Sequence, residues 1–147
     1  NISWSDDFPV VNTSIVKLIN KSKRDSKIEY FMPRLFKDVD DREFASQLLH
    51  LTIKNYKEYN KDIALKTSNW DPERIANLDY VLLNLAICEF LNFKTIPVKV
   101  TINEYIELSK DYSTPKSNVF INGILDALVK DYNKKKLIIK EGRGLLE

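Results

Sequence analysis

Residues 69–126 read NWDPERIANLDYVLLNLAICEFLNFKTIPVKVTINEYIELSKDYSTPKSNVFINGILD, and this stretch decides the fold. Of the 16 residues from Leu78 to Phe93, 12 are apolar or aromatic. That leaves too little polar surface for a helix with one face in water, so the segment is predicted to be packed on most sides by other helices. Asp71-Pro72-Glu73 is a start signal ahead of it: a capping carboxylate, a proline at the first helical position and an acid in the first turn. Thr95-Ile96-Pro97 stops the run. Val98 to Tyr112 then sets Val98, Ile102, Tyr105 and Tyr112 on one face of a second helix. After a short loop, Ser113 to Lys116, a third helix from Ser117 to Asn133 carries the stripe Ile121, Ile124, Leu125, Leu128 and Tyr132, flanked by Phe120 and Ala127. Gly123 lies inside that helix at a cost of about 1 kcal/mol relative to Ala, which predicts a close helix–helix approach where no side chain fits.

Upstream, Asp38 to Tyr59 reads as a helix capped by Asp40 or Asp41, with Phe44, Leu48, Leu51 and Tyr56 near one face and Ala45 and Ile53 beside them. Ile63 to Ser68 reads as a separate short helix. Thr13 to Lys23 places Ile15, Leu18 and Ile19 at amphipathic spacing, and the basic run Lys21 to Lys27 interrupts it. Ile28 to Leu35 reads as another helical turn or two around Pro33. Residues 1–12, with Pro9, show no clean period. The organisation expected is therefore a lead-in at 1–37, the remnant of a longer upstream region, a helical domain at 38–133, and a basic tail at 134–147 that either extends the last helix or frays. With only 3 Gly and 5 Pro in 147 residues, breakers are scarce, and the fold class is all-α: a bundle of six or seven helices.

Composition narrows the chemistry. Apolar residues are 44% and charged residues 30% of the chain, ordinary for one globular domain. A formal charge of +2 is too small to announce nucleic-acid binding globally, so any such site must be a local patch. The single Cys88 sits in an apolar run and reads as core. No apolar run reaches membrane-spanning length, and a reducing, cytoplasmic compartment is expected. The one histidine, His50, reads as a structural or surface residue, and it makes no metal set with Cys88. Neither a phosphate-binding glycine loop nor a nucleophile elbow is present, so no enzyme is expected. Acids at Asp38, Asp40, Asp41, Glu104 and Glu107 suit solvated helix faces. Glu89 stands apart, because a carboxylate in the most apolar helix must find a partner or neutralise. Either a neighbouring helix supplies that partner, or Glu89 belongs to a docking surface.

Several blocks recur in a particular order: the Asp-rich helix start with Phe44, the Trp70 to Arg74 turn, LNLAICE, IPVKVTINEYIELSK, Ser117 as a cap, and FINGILD. In that order they resemble the NusB family of bacterial transcription antitermination factors, over about Asp38 to Tyr132. The resemblance implies an all-helical NusB-like bundle that uses no cofactor or metal and performs no catalysis. It implies binding of boxA-type single-stranded RNA together with the ribosomal protein NusE, within the RNA polymerase antitermination complex, and it allows a homodimer. Carried over residue by residue, the RNA-binding positions are Tyr112, Lys116, Ser117 and Phe120. Asp79 falls at a position turned toward NusE, although a first-turn acid also suits the helix dipole, and Glu89 joins it as a partner-side candidate.

One departure is plain. The family's arginine-rich first helix has no counterpart here beyond Lys21, Lys23, Arg24 and Lys27. This leaves two alternatives beside an antitermination factor: an RNA-positioning accessory domain of a ribosomal RNA methyltransferase, or a module that binds only protein.

Overall fold

The computed structural model describes residues 7–31, 36, 39–68, 70–71 and 75–141. Among them are five α-helices, one 3-10 turn and no strand, so the class is all-α with fewer helices than the six or seven expected. The helices are α1 (Asp7–Lys21), α2 (Val39–Lys66), α3 (Asn77–Asn92), α4 (Val98–Tyr112) and α5 (Ser117–Lys134). The shortfall arises in α2, which runs through Asn60 without a break because no Gly or Pro occurs between Val39 and Lys66. Conversely, α1 starts earlier than the hydrophobic spacing suggested. Pro9 lies in its first turn, where a missing N–H forfeits no intrahelical bond.

The chain divides into two compact units, Asn1–Arg42 and Glu43–Glu147. In the first, α1 is followed by a turn in which the Ser26 amide bonds the Lys23 carbonyl and Ser26 Oγ accepts from the Lys23 amide. This breaks the helix within the basic run. Leu18 is half-buried, and Ile15 and Ile19 are exposed. A 3-10 turn, Ile28–Phe31, stacks Tyr30 edge-on against Phe31. Pro33 and Leu35 lie outside the described residues.

The second unit is built around α3. Leu82, Leu83, Ala86, Ile87, Cys88 and Phe90 are buried around most of the helix, which leaves only a narrow exposed stripe through Asn77, Val81 and Asn92. The helices α3, α4 and α5 pack mutually. The buried stripe of α2 is Thr52, Tyr59 and Ile63, with Leu48 and Leu51 half-buried; Tyr56 and Ile53, expected on the inner face, are exposed. From α5 come Phe120, Ile121, Ile124, Leu125, Leu128 and Tyr132. The start of α3 also differs from expectation. It begins at Asn77 after an uncapped Ala76, while Pro72, Glu73 and Arg74 lie outside the described residues.

Gly123 is exposed, and a Cβ built on it meets nothing within 4 Å. The predicted close approach is therefore wrong: α5 turns this position away from its neighbours.

The tail neither extends α5 nor frays over its described part. Lys136, at φ 56°, closes α5 with the Leu137 amide on the Tyr132 carbonyl at 2.9 Å and its own amide on Asn133 at 3.0 Å, a Schellman motif. The chain then returns to the end of α3. Lys140 Nζ donates to the Phe93 carbonyl at 2.8 Å and the Glu89 carbonyl at 3.1 Å, and the Glu141 amide bonds the Lys94 carbonyl. Lys140 thus adds a second donor to carbonyls at the end of α3 that already accept the Phe93 and Ile96 amides. Burial holds the Lys140 ammonium below the usual lysine range, and the nearby Glu89 carboxylate opposes that shift. Residues 142–147, most of the EGRGLLE tail, lie outside the described residues.

Two outcomes are expected in thermal or urea unfolding. Gly123→Ala raises stability by about 0.5–1 kcal/mol, because it removes helix-interior glycine without a clash; a loss would restore the close-approach reading. Lys140→Met lowers stability by about 1 kcal/mol through two lost charge-assisted hydrogen bonds, and an unchanged midpoint would show that the tail does not cap α3.

Candidate nucleic-acid interface

The loop between α4 and α5 is a tight turn. The Ser117 amide bonds the Thr114 carbonyl at 2.9 Å, Pro115 takes the second position, and Lys116 has φ −106° and ψ −3°. These are the third-residue angles of a type I turn, which sends the Lys116 side chain outward, and Lys116 is exposed.

A buried acid on α3 fixes this turn. Asp79 accepts from Ser113 Oγ at 2.6 Å through Oδ1 and from Ser117 Oγ at 2.9 Å through Oδ2. Ser117 Oγ, its proton committed to Asp79, accepts from the Thr114 amide at 3.2 Å and pairs with Thr114 Oγ1 at 2.8 Å. Ser117 is thus the first helical residue and the hub of a network, not the N-cap that the sequence suggested; the cap position is Lys116. Both carboxylate oxygens are satisfied, as burial of this acid requires.

Beside the turn lies a cleft of about 660 Å³, lined by Trp70, Ile75, Asp79, Thr114, Pro115, Lys116, Ser117, Val119 and Phe120. That volume is within the roughly 300–1,000 Å³ typical of ligand sites. Trp70 arrives from the end of α2, where its amide bonds the Thr67 carbonyl at 2.8 Å and Thr67 Oγ1 bonds the Ile63 carbonyl. The Trp70 ring meets Phe120 edge-on, with centroids 4.9 Å apart and planes at 68°.

The NusB family pattern matches residues 12–130 of this chain. The chain belongs to the NusB family. It is 40% identical over 112 residues to the transcription antitermination protein NusB of Salinibacter ruber, covering 76% of this chain and 70% of that protein. The NusB of Chloroherpeton thalassium is 36% identical over 130 residues, and that of Thermodesulfovibrio yellowstonii 37% over 123. These matches cover 88% and 82% of this chain, but 62% and 82% of the respective relatives, so the chain spans less than two thirds of the Chloroherpeton protein. Among solved structures, T. maritima NusB superposes with a TM-score of 0.63 at 30% identity, over 81% of this chain and 86% of that one.

Of the residues that the sequence nominated, this NusB-family chain brings Lys116, Ser117, Phe120 and Asp79 together at one cleft. They are not alike. Lys116 is exposed, whereas Ser117 and Asp79 are buried and Phe120 keeps only 8% of its surface. Tyr112 ends α4 with its ring exposed and does not line the cleft. Glu89 lies elsewhere, buried between α3 and α4, accepting from Thr101 Oγ1 at 2.6 Å and Tyr105 OH at 3.3 Å. Burial and that carboxylate push the Tyr105 phenol far above its usual range. The neighbouring helix, not a docking surface, thus supplies Glu89's hydrogen bonds. Trp70, Ile75 and Val119 line the cleft and escaped the sequence reading. An indole placed in a loop between two helices was the available signal. His50 is exposed and Cys88 fully buried, and no group of metal-ligating side chains forms among the described residues. No helix among them is long and apolar enough to cross a membrane.

Asp79→Ala strands the Ser113 and Ser117 hydroxyls in a buried site and should cost about 1–3 kcal/mol. A melting temperature equal to the parent's would show that the turn holds without it.

Proposed function

We propose that this chain acts by binding, as a transcription antitermination factor that holds boxA-type single-stranded RNA together with the ribosomal protein NusE, within the antitermination complex on RNA polymerase. It works in the cytoplasm and catalyses nothing. The observation that carries this reading is the α4–α5 turn, where an outward-pointing Lys116 stands on the rim of an aromatic cleft. A cation for phosphate beside a ring for a base is the pairing that single-stranded RNA calls for. NusE docks on the surface of the helices that Asp79 and Glu89 hold in register from inside. A homodimer formed through that surface would exclude both partners.

The near balance of 23 basic and 21 acidic residues favours one rival, a module that binds only protein. Fluorescence anisotropy of a labelled boxA-type oligoribonucleotide, with this chain, with NusE and with both, separates the two. Tightening with both supports the antitermination reading; NusE binding with no RNA affinity in any mixture supports the rival. In the same assay Lys116→Glu is expected to weaken binding. It should also flatten the dependence of log K on log salt by about 0.7 for the lost phosphate contact. Equal slopes for parent and variant would remove Lys116 from the site.

A further inference from the structure

We propose that Trp70 is the ring on which one splayed nucleobase stacks, with Phe120 as the buried support that holds it. This rests on the RNA-binding reading above and assigns the stacking role to a different residue. A base stacks on an accessible aromatic face, and Phe120 has almost none, being 8% exposed with Trp70 across its edge. Trp70 is 51% exposed in the same cleft.

Three features fit the indole to that task. It is held from two sides: the amide bond to Thr67 ties its backbone to the end of α2, and the Phe120 ring braces its side chain from α5. A ring already ordered loses little freedom when a base arrives. The walls beside it, Pro115 and Val119, are apolar, and Val119 is 74% exposed. The rim carries the exposed Lys116 and the exposed Thr114 hydroxyl, so cation, stacking face and a hydrogen-bonding group converge in one cleft whose floor the buried Ser117 and Asp79 hold in place. A nucleotide presents the complementary set: phosphate, flat ring and polar base edge.

The chain has two tryptophans, Trp4 and Trp70, so Trp4→Phe leaves a single reporter. In that background, with NusE present, a boxA-type oligoribonucleotide should quench the indole emission. Trp70→Ala should weaken RNA binding at least about fivefold, as expected for the loss of one stacked base. Trp70→Leu, which keeps apolar bulk and thus the fold but cannot stack, should weaken it similarly, and Trp70→Tyr should restore most of the affinity. Unchanged RNA affinity in both Ala and Leu variants, while the parent binds, would overturn the Trp70 assignment and leave the RNA-binding function standing. Quenching by NusE alone, with no response to RNA, would give the cleft to the protein partner and also overturn it. No RNA binding by the parent under any condition would overturn both readings together.

Discussion

Polar groups on a helix that is buried on most of its sides constrain everything else in the larger unit. Four polar side chains of α3, Asp79, Asn84, Glu89 and Asn92, find partners in three other parts of the chain. Asp79 takes the hydroxyls of Ser113 and Ser117 at the α4–α5 turn. Asn84 donates to Asn60 on α2 at 2.9 Å, and Asn92 donates to the adjacent Tyr59 of the same helix at 3.2 Å. Glu89 takes Thr101 and Tyr105 of α4. Apolar contacts would tolerate a slide or rotation of these helices by a fraction of a turn, since they have no direction. Hydrogen bonds at four separate heights do not. A buried group left unmatched costs about 1–3 kcal/mol, a large fraction of a typical domain's stability. The apolar residues drive the helices together, and these four set the register in which they stop.

The candidate interface inherits its shape from that arrangement. The acid that fixes the α4–α5 turn also lines the cleft, so the positions of Pro115, Lys116 and Val119 are set by the core rather than by the loop's own preferences. Trp70 depends on the core in the same way, through Phe120. A surface of this kind can be precise without being large, because none of its parts hangs from a free loop end.

How legible this was depended on whether a feature had a local cause. Proline at 97 and 115 punctuates the chain, and α4 and α5 begin where it implies. The unbroken length of α2 was harder to see, since Asn60 suggests a break to the eye while nothing there offers the backbone an alternative. Gly123 misled because a helix-interior glycine has more than one explanation, and only the neighbours' positions choose between them. The site shows the same division. Lys116 could be read from its place after Pro115, a local matter. That Phe120 would lie beneath Trp70 depends on two segments 50 residues apart and leaves no trace in either. Lys140 is the extreme case: a lone lysine beyond the last helix has no periodicity to reveal that it caps another.

That cap also gives the chain a direction in time. A protein made from its N-terminus has α3, its most apolar helix, synthesised well before Lys140, and until then the carbonyls at the end of α3 lack the ammonium that later joins them. The strap that closes the central helix is thus among the last parts of the described chain to leave the ribosome. The larger unit gains this last support only once synthesis has passed Lys140. A chain that stopped just short of Lys140 would hold every helix of the bundle and still lack the clasp.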